Sequence, residues 1–400
     1  MSLPALRYLD AAPVVQDGQT LICVSDPEGY VEGQFTLSGP AFFIAACLDG
    51  AAAVEDISRA FRKQFGAGVA DSDILKVVDF LDKAGLLLSE RFFELQASVQ
   101  RDFAGRDTRP AWLAGKSYPA DPGELGLFCH KILAAAEAGT DGGRRVSCLV
   151  APHIDFHRGA AGYAAAYGFA QLTRPGLVFI FGVAHGRADT PYILTRKHFE
   201  TPLGTLKTAV DVVDRLAEVC PWDPFNSEIA HRTEHSIEFQ AVMLAHLFGP
   251  DLEDLRIVPV LCGPLGEDAP PAKPESVPGV AEFLAACREE ATKADALVVA
   301  GADLAHVGRR FGDDFDIDES VIQAVERRDR EDLAHALRGD AAGFYQAVVK
   351  DENARKVCGL GCIHAALSTI DGRTSEGELV HYGCAEDPAG GIVSFAAIVL

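Results

Sequence analysis

Six short apolar runs, at 146–151, 177–182, 256–262, 296–301, 377–384 and 392–399, most constrain what this chain can fold into. They are rich in Val, Ile, Leu, Ala and Phe and too short to be typical buried helices. Between them lie stretches of helical pattern at 123–138, 159–172, 209–219 and 280–291. Strands that are apolar throughout and alternate with helices predict an α/β domain with a largely parallel central sheet flanked by helices on both faces. The Pro/Ala/Glu-rich segment 267–278 is expected as a surface loop.

The first hundred or so residues follow another pattern. Val54, Ile57, Ala60 and Phe61, then Ile74, Val77, Val78 and Leu81, recur at helical spacing and predict two amphipathic helices, broken around Gly66-Ala67-Gly68 and stopped at Gly85. Asp71 or Ser72 is the expected cap of the second helix, and 20–25 and 34–37 read as short strands. Two helices followed by Gly85-Leu86-Leu87 suggest a small α+β, winged-helix-like domain over 1–104. The polar run Gly105-Arg106-Asp107-Thr108-Arg109-Pro110 marks a linker at 105–111, leaving 112–400 for the α/β domain. A chain of 400 residues is long enough for about two such units, each with its own core.

Charge narrows the partners. The formal net charge of -22 repels polyanions. Within 48–90, five basic residues (Arg59, Arg62, Lys63, Lys76, Lys83) face eight acidic ones, the wrong sign for a winged helix that neutralises phosphates. Nucleic acid and anionic membranes are therefore excluded as general partners. No apolar run approaches the roughly 20 residues that span a bilayer, and residues 1–10 lack a basic region followed by an apolar stretch, so a cytoplasmic chain is expected. The ten cysteines are scattered, several inside apolar runs, which fits reduced thiols better than a disulfide framework.

Chemistry concentrates at the strand ends. His153 follows the run 146–151, His185 follows 177–182 and His306 follows 296–301. In an open α/β sheet the ligand crevice lies beyond the carboxyl ends of the strands, so residues distant in sequence converge there. Imidazole is the commonest metal ligand, which makes a metal or catalytic site the leading expectation over solvated loop histidines. Glu234-His235-Ser236-Ile237-Glu238 opens a further helix, where the carboxylates either orient a histidine or simply favour the positive end of the helix dipole. Asp303 and His306, three apart, are expected to meet on one turn, and Arg158, Arg309 and Arg310 are candidates for holding an anion. Cys358 and Cys362 flank a Gly-rich turn before an apolar helix, where a thiol has a lowered pKa and either one is a ligand candidate.

Together, Ala114-Gly115-Lys116-Ser117-Tyr118, Ala151-Pro152-His153, Gly182-Val183-Ala184-His185, Glu234-His235-Ser236-Ile237-Glu238, Asp303-Leu304-Ala305-His306-Val307-Gly308 and Cys358-Gly359 resemble the Memo family, protein B of the AmmeMemoRadiSam system. The resemblance covers roughly residues 112–400 and implies a fold similar to class III extradiol dioxygenases. It implies metal ligands at His153, His185 and Cys358, an acid/base role for His235, and Asp303 and His306 lining the same pocket. It thereby selects Cys358 over Cys362. Three departures stand out: the family's Trp before Tyr118 is Ser117, its His after His185 is Gly186, and its Ala-Gly-Tyr after His153 is Ile154-Asp155-Phe156. Leu48-Asp49-Gly50, Ile57, Phe61 and Gly85-Leu86-Leu87 are similar to PqqD-like domains, which hold peptides or partner proteins beside radical SAM enzymes.

Two readings follow from these resemblances. One is a metal-dependent redox or dioxygenase-like enzyme acting on an unidentified small molecule, with one transition metal, iron first and copper or zinc as alternatives, held by two imidazoles and a thiolate. The other is a non-enzymatic accessory protein that docks a radical SAM enzyme or its peptide substrate through residues 48–88.

Overall fold

The computed structural model describes residues 2–16, 18–134, 146–170, 174–266, 270–372 and 376–400. The chain divides into two compact units, Met1–Gly105 and Arg106–Leu400. The first is an antiparallel meander, β1 (Asp10–Gln16), β2 (Gln19–Ser25) and β3 (Gln34–Ser38), followed by four helices: α1 (Gly39–Ala46), α2 (Val54–Phe65), α3 (Asp71–Lys83) and α4 (Glu90–Ala104). Of the residues at helical spacing, Ile57, Phe61, Ile74 and Leu81 are buried in its core, and Val54, Val77 and Val78 pack against it partly buried. Gly66 ends α2 in the left-handed region at φ 68°, and Gly85, at φ 72°, follows α3. The expected cap of α3 is corrected: Ala70 holds that position without a side-chain bond, while Asp71 and Asp73 lie in the first turn. There the carboxylates act on the helix dipole instead of accepting a capping bond.

The second unit carries an 11-stranded sheet. Its strands are β4 (Thr108–Arg109), β5 (Cys148–Ala151), β6 (Leu177–Val183), β7 (Tyr192–Leu194), β8 (His198–Thr201), β9 (Gly204–Thr208), β10 (Arg256–Cys262), β11 (Leu297–Gly301), β12 (Asp303–Gly308), β13 (Glu378–Asp387) and β14 (Gly391–Val399). The main path runs β12-β14-β5-β11-β6-β10-β9-β8-β4. Helices α5 (Pro122–Ala134), α6 (Phe156–Ala170), α7 (Val210–Glu218), α8 (His235–Phe248), α9 (Val280–Ala294), α10 (Glu319–Ala336), α11 (Ala341–Val349) and α12 (Leu360–Thr369) complete the unit. Residues 135–138 and 171–172 of the expected helices, and 267–269 of the expected loop, lie outside the described residues.

All six apolar runs are strands. In β6 every residue is buried, with Leu177, Phe179 and Phe181 in one core and Val178 and Ile180 in the other. Alternation is therefore present but hidden, because both faces are apolar. The centre of the sheet is parallel, with β5, β11, β6, β10 and β9 running together, and β4 pairs parallel with β8, whereas β12, β13 and β14 pair antiparallel at one edge and β7 and β8 run antiparallel to β10 and β9. This corrects the expectation of a largely parallel sheet. The connection from β13 to β14 is too short for a crossover, so they form a hairpin.

Two further expectations change. Thr108–Arg109, within the expected linker, forms β4 beside β8, and Arg109 is completely buried. Asp303 and His306 do not share a helical turn, because both lie on β12, whose pairing to β14 shifts register between them. Among the described residues no helix is long and apolar enough to cross a membrane.

Candidate metal centre

The site is built where the parallel strands end. β5 closes at Ala151 and Pro152 carries the chain to His153, while β6 closes at Val183 and leads to His185. Helix α8 begins at the same place, with Glu234 as its N-cap and His235 as its first residue. Glycines allow this approach: a Cβ at Gly182 would lie 2.5 Å from Ile237 Cγ1, and one at Gly301 would lie 2.4 Å from the Ser236 carbonyl oxygen. The three imidazole centroids are 5.0 Å (His153–His185), 5.2 Å (His153–His235) and 4.6 Å (His185–His235) apart.

Cys358 arrives from the loop before α12. Its Sγ is 3.4 Å from His153 Nε2. Two donors each about 2.0–2.3 Å from a shared tetrahedral ion stand roughly 3.5 Å apart, so this separation suits a common ligand set. The donor atoms of His153, His185 and Cys358 all lie within 4.8 Å of one another. Each imidazole is oriented through its other nitrogen. His153 Nδ1 bonds the Gly301 carbonyl oxygen at 2.9 Å, and His185 Nδ1 meets Glu234 Oε1 at 3.0 Å. That leaves the Nε2 lone pairs for a metal.

A second set of donors, His185, Glu234 and His235, is equally close. Glu234 is already engaged, however. Its carboxylate accepts from the His185 and Ser236 backbone N–H groups at 2.9 and 3.0 Å and from both neighbouring imidazoles. Burial opposes its charge, but the two histidines hold the Glu234 carboxyl well below the usual range. It therefore acts as the group that orients the imidazoles, and the His/His/Cys set is the better-suited donor group.

Electrostatics favours the ligating form of sulfur. Burial alone would raise the Cys358 thiol, but His153 and His306, with hydrogen bonds from His153 and His185, bring it down to about 5. Burial disfavours charge on His153, whereas Asp303 and Cys358 raise it to about 9. Asp303 joins the two, accepting the His153 backbone N–H on Oδ1 at 2.9 Å and the Gly359 N–H on its carbonyl oxygen at 3.0 Å. Cys362 is directed elsewhere, buried next to Cys262, and burial pushes its thiol well up.

His306 stands apart from the three clustered imidazoles, on β12, with Nδ1 3.1 Å from the Leu304 carbonyl oxygen and its ring against Phe311. Glu238, one turn from Glu234, faces Arg109 and Tyr118 instead of a histidine. Arg109 also donates to the carbonyl oxygens of His231 and Glu234, so it fastens the first turn of α8 from beneath. A lone arginine in a polar run carries no sequence signal for such a role. Of the three arginines considered for anion binding, Arg158 pairs with Asp155 and Arg309 with Asp316, while Arg310 lies over the Phe311 ring.

A family model described as Memo-like protein matches residues 109–399. The chain is similar to a MEMO1 family protein of Aquifex aeolicus, 26% identical over 400 residues and 99% of each chain. It is also similar to MEMO1 family proteins of Thermus thermophilus, 26% identical over 72% of this chain and 81% of the relative, and of Methanococcoides burtonii, 28% identical over 73% and 99%. The matched span contains the whole His153, His185, Glu234, His235, Asp303 and Cys358 constellation, and the chain belongs to the Memo-like family.

Proposed function

We propose that this chain is a metal-dependent oxidoreductase in which one transition metal, iron first, is held by His153, His185 and Cys358. The observation that carries this reading is the convergence of two pre-oriented imidazoles and a thiolate within 4.8 Å. A metal in such a site supplies Lewis acidity and, for iron or copper, one-electron chemistry. The protein supplies orientation and proton handling. His235 has its Nδ1 3.2 Å from Glu234 Oε1, which assigns the proton to that nitrogen and leaves Nε2 as an acceptor. Burial lowers its basicity, so the ring is neutral near pH 7 and suited to take a proton from a bound substrate. The side chains of His185 and His235 are 38% and 36% exposed, which makes this the side from which a small molecule enters. A likeness to class III extradiol dioxygenases belongs to the same proposal, with thiolate in place of a carboxylate.

Metal analysis tests this directly. Protein purified anaerobically is expected to carry about one transition metal per chain, lost in Cys358→Ala and in His185→Ala. Metal content unchanged by both substitutions would falsify the assignment.

A second reading concerns the first unit, proposed as a PqqD-like or winged-helix docking module for a peptide or a radical SAM partner. It is favoured by Phe65, Leu75, Phe80 and Phe93, which are large, apolar and exposed. Deletion of residues 1–105 is expected to abolish capture of that partner, and unchanged capture counts against it.

A further inference from the structure

Cys358 lies in an irregular segment between α11 and α12, and such a segment gives a ligand no rigidity of its own. This one is held at several points. Glu352, Asn353 and Lys356 adopt left-handed backbone, with φ of 58°, 55° and 54°. Non-glycine residues in that region persist when surrounding contacts enforce them, and such residues cluster at functional sites. Here the contacts are visible. Asn353 grips Val357 at both backbone groups, its Oδ1 accepting the N–H at 2.8 Å and its Nδ2 donating to the carbonyl oxygen at 3.2 Å. Lys356 Nζ reaches Asp313 Oδ1 at 2.7 Å.

Arg355 fastens the segment to the rest of the unit. Its guanidinium straddles Asp329 and Asp332, both buried on α10. Asp329 also accepts from Tyr382 of β13 at 2.9 Å and from Ser394 of β14 at 2.5 Å. The Arg355 carbonyl oxygen accepts the His306 N–H at 2.7 Å, and Ser394 Oγ accepts the Ala305 N–H at 2.9 Å. On the far side of Cys358, Gly359 is bonded to Asp303, the residue that also holds the His153 backbone. A Cβ at Gly359 would lie 2.5 Å from the Asp303 carbonyl oxygen.

We propose that Asn353 and Arg355 are positioning residues that hold the strained 352–357 segment so that Cys358 Sγ stands beside His153 Nε2 in ligating geometry. The inference rests on the metal-centre reading above. The mechanism is enforced geometry: without the Asn353 bridge, the backbone before Cys358 relaxes toward ordinary φ values and the sulfur leaves its place.

Cobalt(II) titration of the full-length chain under anaerobic conditions tests both levels. The parent protein is expected to develop near-ultraviolet thiolate-to-cobalt absorption that Cys358→Ala abolishes. Asn353→Ala and Arg355→Ala are expected to keep native circular dichroism while binding cobalt on the order of 10- to 100-fold more weakly, with reduced thiolate absorption. Asn353→Asp keeps the acceptor for Val357 and tolerates a positive φ, so it is expected to restore most of the affinity and the band. Should Arg355→Ala fail to fold, because it strands two buried carboxylates, the Asn353 pair decides. Parental affinity and absorption in Asn353→Ala, or no recovery in Asn353→Asp, overturns the positioning role alone. A parent protein without cobalt binding, or a band that survives Cys358→Ala, overturns the metal reading and the positioning role with it.

Discussion

Glu234 does more than any other single side chain to organise the site: it caps α8, accepts two bonds from His185 and orients His235. Glu234→Gln preserves the shape but removes the charge. We expect metal affinity to fall by about 10- to 100-fold with little change in folding, read by metal titration alongside circular dichroism. A different role belongs to His231, buried with Nε2 3.1 Å from the Ile193 carbonyl oxygen. Burial, with Arg109 also opposing, lowers its pKa to about 3 from the ordinary 6.5 of a histidine. Between those values the unfolded chain binds a proton that the native protein refuses. Stability associated with His231 is thus fully present above about pH 6.5 and is lost on acidification, by up to about 1.4 kcal/mol per pH unit. Urea unfolding at pH 6.5, 5.5 and 4.5 should show a shallower loss in His231→Gln than in the parent protein. Of these roles, the strand ends pointed to His153 and His185, and family resemblance alone picked out Cys358. Neither pointed to His231, because nothing in its sequence neighbours distinguishes a buried histidine from a solvated one.

At the level of elements, the site depends on how closely α8 approaches β6 and β11. Gly182→Ala places a methyl group against Ile237 and Ser236, and overpacking of this kind costs about 1–3 kcal/mol. Chemical denaturation measures that cost, and an unperturbed midpoint would show that α8 yields freely. Arg109 tests the opposite face of the same helix. Arg109→Met leaves the Glu238 carboxylate buried without its cation, which typically costs about 3–5 kcal/mol. In the larger unit, the strands that sequence reading located are continuous apolar runs. Those it missed in the larger unit, including β4, β7, β8 and β9, have two to five residues and take their pairing from neighbours. β12 was missed for another reason: its residues look like the loop after β11, and only pairing with β14 makes them a strand.

Across the whole molecule, every residue of the proposed metal set belongs to the unit Arg106–Leu400, which has cores of its own. A chain beginning at Arg106 is therefore expected to melt cooperatively and to bind metal with the stoichiometry of the full protein. Loss of binding in that shorter chain would mean that the first unit takes part in the site. The sequence by itself determined the α/β class, the helical pair at 54–81 and the strand ends that carry His153 and His185, because hydrophobic periodicity and strand-terminal position are local properties. Tertiary structure decided the antiparallel edge, the burial of Arg109 and the assignment of Glu234 to His185. It also decided the placing of Cys358 beside His153. The contacts of Glu234, Arg109 and Cys358 join residues 49 to 205 positions apart, and β12 finds β14 across a similar distance in the chain, which no local pattern encodes.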